Sequence, residues 1–512
     1  NVYVVGGIKY SAMSIWKFNS SGEVDSNFNS PNGFITFTTD GSNVEGLDIK
    51  IDLNGKLVVS GIVTNESGNC NTTIWRYNTD GSLDSSFGGV GFVTFANNAG
   101  GTAGSRGMGI VVDSDNNYYV VGHDAASNDY PDMVIWKIKN DGSLDENFGD
   151  GTCYNGVGTA GAYGCVVFSN ATGFDDSQDK GLGIVQQPDG KLIIVGYSMN
   201  SETEESDMVI WRYNPNGTLD DTFGDGSCNN GVGFGGNYGC SIHNSAAEGD
   251  DCDRGWRVVL DGDKIVVVGQ SGGTDGFSDM AVWRYNSNGT LDTTFNSVGY
   301  VTHHNASGGN VGDKASDIVV MDDGKYLIGG SSKTGTSWND NTRAVLWRYN
   351  SDGTMDDTFG DGSCNNGVGI NGSLGCVVFD NITYDNYRYY IRHQISIEEI
   401  DDGYRAFTAG TMNVTGDADI LLLDWVETDG PYCCSPLQEQ EEEDPEDENE
   451  DPAEEDEASV EEDPEEEDEA SAEEDPEEEP TNERELSKTG QGILYVMLIS
   501  LFSLGVVSIK KK

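Results

Sequence analysis

Basic side chains are scarce in this chain. Its 512 residues hold 28 Lys and Arg against 88 Asp and Glu, a formal net charge of −60 at pH 7, and the only basic cluster is the terminal Lys510, Lys511 and Lys512. Neutralising phosphates needs clustered cations, which argues against a nucleic-acid partner, and an anionic membrane surface would repel the chain equally. Histidine is scarcer still, at five residues, and leaves little for a zinc site. Apolar residues reach only 36% and Gly occupies 69 positions, too lean and too Gly-rich for one large helical core. Aromatics at 10% nevertheless argue against a wholly disordered chain. Also missing are HExxH, GxSxG, a Walker loop and a Rossmann glycine fingerprint after a strand. What remains is β structure without a local catalytic constellation.

The charge is uneven. From Glu439 to Glu485, 30 of 47 residues are acidic, which leaves 58 acids against 23 basic residues ahead of that tract, a balance of about −35.

Internal repetition is the strongest signal. Tryptophan recurs at Trp16, Trp75, Trp136, Trp211, Trp283, Trp347 and Trp425, and six of the seven sit in near-copies of one phrase, such as IWRYNTDGSLDSSF and LWRYNSDGTMDDTF. The seventh, LLLDWVETDG, is degenerate. Each unit of about sixty residues divides into four short apolar runs, for the second GFITF, GLDIKID, KLVVSGIV and TTIWRYN. The second and third are joined by Asn54-Gly55, and the same slot holds Asp189-Gly190, Asp261-Gly262 and Asp323-Gly324. Such dipeptides between β-rich runs signal hairpins, because both residues tolerate positive φ. Four antiparallel strands per unit, repeated about seven times, predict an all-β fold, a β-propeller of about seven four-stranded blades over residues 1–434. The chain opens at NVYVVGG, which matches the third run, so the first blade is expected to be incomplete by two strands. About 30 to 40 residues are expected ahead of Asn1, and the absence of an initiator Met and a signal peptide fits a processed or truncated start.

The phrase WRYNxDGSLDxxFG, followed by a run such as PDGKLIIVG, resembles the delta-60 repeat found in tandem in secreted and surface proteins of bacteria. The resemblance covers residues 1 to about 430 and implies a propeller-like array without established catalytic residues. Two departures are the Trp, where the family tends to a smaller residue, and Cys-bearing insertions.

Those insertions carry Cys153 and Cys165, Cys228 and Cys240, and Cys364 and Cys376, each pair twelve apart, and the other complete units lack both members together. Three disulfides are therefore expected, each closing a loop of about 13 residues worth roughly 3 kcal/mol, and with them an oxidising location. Cys70, Cys252, Cys433 and Cys434 have no evident partner. No cofactor is expected, although the turn phrase raises calcium: Asn78, Asp80 and Asp84, like Asn350, Asp352 and Asp356, place oxygens at i, i+2 and i+6. Tight turns use the same residues, and the replacement of Asp80 by Asn216 or Asn288 in other copies favours the turn. The Arg after each Trp (Arg76, Arg212, Arg284, Arg348) is placed to pair with the LD aspartate of its own unit (Asp84, Asp220, Asp292, Asp356) as scaffold. The repeated Trp reads as core between blades, and Trp338 as the exposed exception. Acid pairs Asp175-Asp176, Asp250-Asp251 and Asp401-Asp402 could serve glycoside chemistry, but acids are abundant enough for pairs to arise by chance. The SxDxGxTW Asp-box of bacterial sialidases is not reproduced.

Topology groups the loops. The DG turns and Cys-bearing loops fall on one rim, and the variable loops 196–207, 243–255, 303–315 and 330–343 on the other, where recognition is expected.

Residues 435–485 read as a disordered acidic stalk, with EEDEASVEEDPE (454–465) repeated as EEDEASAEEDPE (466–477). Self-repulsion extends it, and proline interrupts any helix. Residues 486–512 hold Leu486, Ser487, Lys488, Thr489 and Gly490, then a mostly apolar run of 17 residues, Ile493 to Ile509, and three lysines. As a helix the run spans about 25 Å, near the lower limit for a membrane, and the lysines fit the positive-inside rule. The order resembles the LPxTG cell-wall sorting signal, with Ser487 in place of Pro, and implies a sortase-type transpeptidase cutting between Thr489 and Gly490. Without cleavage the segment is a membrane anchor. The expected location is the extracellular face of a bacterial cell, wall-attached or membrane-anchored, and the expected role adhesion or binding of an extracellular polymer, glycan or protein. A wall-attached glycan hydrolase and a purely structural spacer are the alternatives, and a saline habitat would also account for the acidity.

Overall fold

The computed structural model describes most of residues 2–384, the strands between 394 and 434, and residues 505–508; side-chain contacts below concern residues 2–379. Among the described residues all 28 elements are β-strands, in five four-stranded sheets and one of eight strands that is two such units joined by a single parallel bridge, Cys70 to Gly104. Within each unit consecutive strands pair antiparallel. The innermost strands are Gly505–Ser508, Val44–Ile51, Gly100–Val112, Gln178–Gln186, Arg254–Asp261, Asp313–Val320 and Gln394–Ile400. Each neighbours the next in that order, and the last returns to Gly505–Ser508, which closes a ring of seven blades.

The structure corrects the blade register. GFITF belongs to the blade before it: Phe34–Thr38 pairs with Ala12–Phe18 and forms the outer strand beside Trp16. The Trp strand is therefore third, not fourth, because a long turn carries the chain outward from it. The first blade accordingly wants one strand beside Val2–Ile8, not two. Gly505–Ser508 occupies that edge, with Val2 opposite Ser508 and Val5 opposite Gly505. Of the run 493–509, expected as a helix, residues 505–508 are described and are strand; the rest lies outside the described residues. The pair Val506-Val507 favours extended backbone, and the edge of Val2–Ile8 supplies the hydrogen bonds. Among the described residues no helix is long and apolar enough to cross a membrane. Residues 435–504, with the stalk and Leu486, Ser487, Lys488, Thr489 and Gly490, lie outside the described residues, as do Trp338, Asp175-Asp176, Asp250-Asp251 and Asp401-Asp402.

The turn chemistry read from sequence is present. Gly55, Gly190, Gly262 and Gly324 sit at positive φ, and in the third blade Asn116 takes that place at φ 62°, which asparagine tolerates better than other side chains. Trp75, Trp136, Trp211, Trp283 and Trp347 are fully buried between blades, whereas Trp16 is half-buried and stacks on Phe34 at 4.3 Å. In the seventh blade Trp425 lies opposite Cys434, as Trp347 lies opposite Cys376, which places the degenerate repeat in register with the others.

The repeated phrase stitches blades together. Arg76, Arg212, Arg284 and Arg348 each pair through Nε with their aspartate at 2.6, 2.6, 3.0 and 2.6 Å. Each guanidinium lies over the buried phenylalanine of the same phrase, 4.5–4.8 Å from its centroid. Three of these arginines also donate to a turn carbonyl of the following blade: Arg76 to Asn140 at 2.6 Å, Arg212 to Ser287 and Arg284 to Ser351. Burial raises the Asp84, Asp220 and Asp356 carboxyls, but Lys56, Lys191 and Lys325 with the neighbouring Ser and Thr donors and the arginines hold them well below the usual range.

Candidate functional site

Five inner strands slip by one residue at one position. The bulge falls between Gly46 and Asp48, Gly107 and Gly109, Gly181 and Gly183, Gly255 and Arg257, and Ala315 and Asp317. A glycine of the second strand permits it: a Cβ on Gly196 would lie 1.8 Å from the Lys180 carbonyl oxygen, and Gly61, Gly122, Gly269 and Gly330 are equally crowded. A bulge re-aims a side chain out of the ladder. The bulged Leu47, Met108 and Leu182 join Trp256 in one apolar cluster drawn from four blades, and so plug the middle of the ring.

Charge lies on both sides of this plug. Toward the DG rim, Arg257 reaches across the ring to Asp48 at 3.3 Å, with Asp317 at 3.8 Å; Lys50 binds Asp48 at 2.9 Å, and the Ile110 N–H donates to it at 3.1 Å. Burial raises the Asp48 carboxyl, but Arg257, Lys50 and Ile110 pull it below the ordinary value. Toward the variable-loop rim, the residue two before each bulge is Glu45, Arg106, Lys180, Arg254 and Lys314. Four of five are cations, on four successive inner strands. Lys180 and Arg254 both lie over the Tyr197 ring, at 5.5 and 4.6 Å. Burial, with the Arg254 and Lys333 charges, pushes the Lys314 ammonium down to about 8. Sequence reasoning missed this ring, although the aligned phrases RGMGIV, KGLGIV, RGWRVV and KASDIV carry it.

The DG rim presents an open polar hollow lined by Lys56, Arg76, Asn117, Lys139, Asn140 and Asp141. Its Lys56 and Arg76 are both spent on Asp84.

The expected disulfides are formed: Cys153–Cys165, Cys228–Cys240 and Cys364–Cys376, with Cα atoms 5.5, 5.6 and 5.5 Å apart. They point to an oxidising, extracellular location. Cys70 and Cys252 are free thiols. The calcium candidates are engaged as turns. Asp80 Oδ1 accepts from the Ser82 N–H at 2.9 Å and its hydroxyl at 2.7 Å, Asn78 Nδ2 donates to Ser82 at 3.0 Å, and Asp84 holds Arg76, Lys56 and Ser86. Asn350, Asp352 and Asp356 repeat the pattern through Thr354, Arg348 and Thr358.

No curated protein matches the chain. Among solved structures, a Trypanosoma rangeli sialidase in complex with the inhibitor DANA aligns over 78% of this chain at 12% identity and a TM-score of 0.37, and the chain spans 55% of that protein's length. An ulvan lyase of polysaccharide lyase family PL25 aligns over 82% of this chain and 89% of its own at 12% identity and a TM-score of 0.40. A fucose lectin from Kordia zhangzhouensis aligns over 32% and 94% at 14% and 0.20. Likenesses this slight carry no argument about substrate. The family comparison is more direct: residues 53–87, 114–148, 187–223, 263–295 and 322–359 match DUF5122, a domain of unknown function described as a beta-propeller. Each match starts near a DG turn and ends at or next to the buried phenylalanine, so it contains the stitching phrase. Five stretches of the chain therefore match the DUF5122 β-propeller repeat.

Proposed function

We propose that this chain is an extracellular binding module whose variable-loop rim takes an anionic polymer, an acidic glycan foremost. The observation that carries the reading is the placement of Arg106, Lys180, Arg254 and Lys314 at one register of four successive inner strands. In a chain with 28 basic residues against 88 acids, four cations converge on one mouth of the ring. There they concentrate positive potential for an anion against an otherwise repulsive surface. The apolar plug beneath closes the ring, so a ligand would lie across the mouth, and loops on a rigid scaffold are the ordinary place for recognition.

Attachment is the second part of the reading, and it rests on the residues alone. The acidic stalk would hold the propeller off the envelope, and Leu486 to Gly490, the apolar run and the lysines would be its sorting signal. On one chain, the tail serves either as the strand beside Val2–Ile8 or as the anchor. Mass spectrometry of wall-released protein decides this: a C-terminus at Thr489 supports sorting, and an intact Lys512 opposes it.

The binding test is a panel of uronic-acid, sulfated and neutral polymers titrated against the chain at low and high salt. Acidic polymers should bind, salt should weaken them, and Lys180→Ala with Lys314→Ala should abolish the signal while thermal stability is kept. Equal binding of neutral polymers, or undiminished binding by the double variant, would sink the reading.

A further inference from the structure

We propose that Asp279, His304 and Asp313 form a binding site for one divalent transition-metal ion of the Zn2+ class, on the variable-loop rim between the fifth and sixth blades. Asp279 is the second residue of the strand Ser278–Tyr285, His304 directly follows the outer strand Tyr300–His303, and Asp313 opens the inner strand of the next blade. Their ligand atoms all lie within 4.8 Å of one another, and His304 Nδ1 is 2.6 Å from Asp279 Oδ1. Asp313 is 2% exposed; its Oδ2 accepts from the Asn305 N–H and the Ser332 hydroxyl lies beside the carboxyl, but its Oδ1 is buried and makes no hydrogen bond of ordinary geometry. Leaving a buried carboxylate oxygen unpaired is costly, and a cation would remove that cost. The His304 side chain is 37% exposed, so an ion has access from solvent.

The other seams supply an internal control. Asp132 with Asp179, and Asp207 with Asp253, occupy the same two positions between the third and fourth and the fourth and fifth blades. The position of His304 holds Ser169 and Asn244 there. Only the histidine adds a nitrogen ligand to the carboxylate pair, and imidazole with carboxylates selects Zn2+ and its neighbours over the hard ions Ca2+ and Mg2+. His303 with Cys364 and Cys376 forms the one other such grouping among the described residues, and its sulfurs are bonded to each other.

The test is calorimetric titration of the chelator-treated full chain with ZnCl2, and separately with CaCl2, alongside His304→Asn and Asp313→Asn. His304→Asn copies the residue of the neighbouring seam, so it should fold, with an unchanged circular dichroism spectrum. One Zn2+ per chain is expected, with a rise in melting temperature on Zn2+ addition. Changes outside the first coordination sphere already cost about 10- to 100-fold in metal affinity, so both variants should lose at least tenfold and the thermal shift with it. Zn2+ binding that His304→Asn leaves intact, for example at the free Cys70 or Cys252, would overturn the assignment. So would the absence of Zn2+ binding, or a site that takes Ca2+ in preference.

Discussion

The two rims of this propeller are built from the same repeat and do opposite things with charge. On the DG-turn rim each buried cation meets its acid: Arg76 with Asp84, Arg212 with Asp220, Arg284 with Asp292 and Arg348 with Asp356, and Lys17 and Lys137 stand in for Arg in the first and third blades at 2.7 and 3.0 Å from Asp25 and Asp145. On the variable rim the pattern differs from blade to blade. Cations gather at the ring's mouth, and aspartates crowd the seams, where burial pushes Asp124 up to about 6 and Asp132, Asp253 and Asp313 up to about 7. Pairing that recurs in six blades is scaffold. Charge arranged differently from blade to blade, with buried carboxyls raised by desolvation, is what a binding surface needs.

The largest effect should come from breaking the stitched rim. Asp220→Ala leaves the buried Arg212 without its acid and should cost about 3–5 kcal/mol, read as a lower midpoint in denaturant. Next, Cys228→Ala with Cys240→Ala opens one disulfide loop and should cost about 3 kcal/mol, measured the same way under oxidising conditions.

Opposed pH dependences follow from the pKa directions, and a stability titration in chelator reads both. Asp84, Asp220 and Asp356 sit below their ordinary value of 3.8, so their contribution is complete above it and is lost as the pH falls through the folded values. Asp132 and Asp253 sit above it: the folded state keeps a proton that the unfolded state has released, so stability declines as pH rises from about 4 to about 7. Asp253→Asn should flatten that decline, and an unchanged slope would contradict the placement of the buried proton. The smallest stability effect belongs to Lys180→Ala, within about 0.5 kcal/mol, although the same change should weaken binding of an acidic polymer severalfold.

Much of the uniform rim was legible in sequence. The DG hairpins, the three Cys pairs, the buried Trp and the Arg–Asp pairs all follow from local spacing within one phrase, because hairpins and turns are specified over a few residues. The blade register was not, since GFITF pairs backward across a turn that no short-range rule spans. The bulges were missed for a related reason: a one-residue slip changes which side chains face the channel without changing strand propensity. Aligning the five inner-strand phrases would have shown the cations, and aligning Ser169, Asn244 and His304 would have shown the one seam with a nitrogen ligand.

The division between rims is tested most directly by hydrogen-exchange footprinting of the full chain with a bound acidic polymer. Added protection should fall on the inner-strand starts near Arg106, Lys180, Arg254 and Lys314 and on the described loop residues beside them, with the DG turns unchanged. Protection centred on residues 52–56, 78–82 and 139–143 would instead place the binding surface on the stitched rim and contradict the assignment of roles.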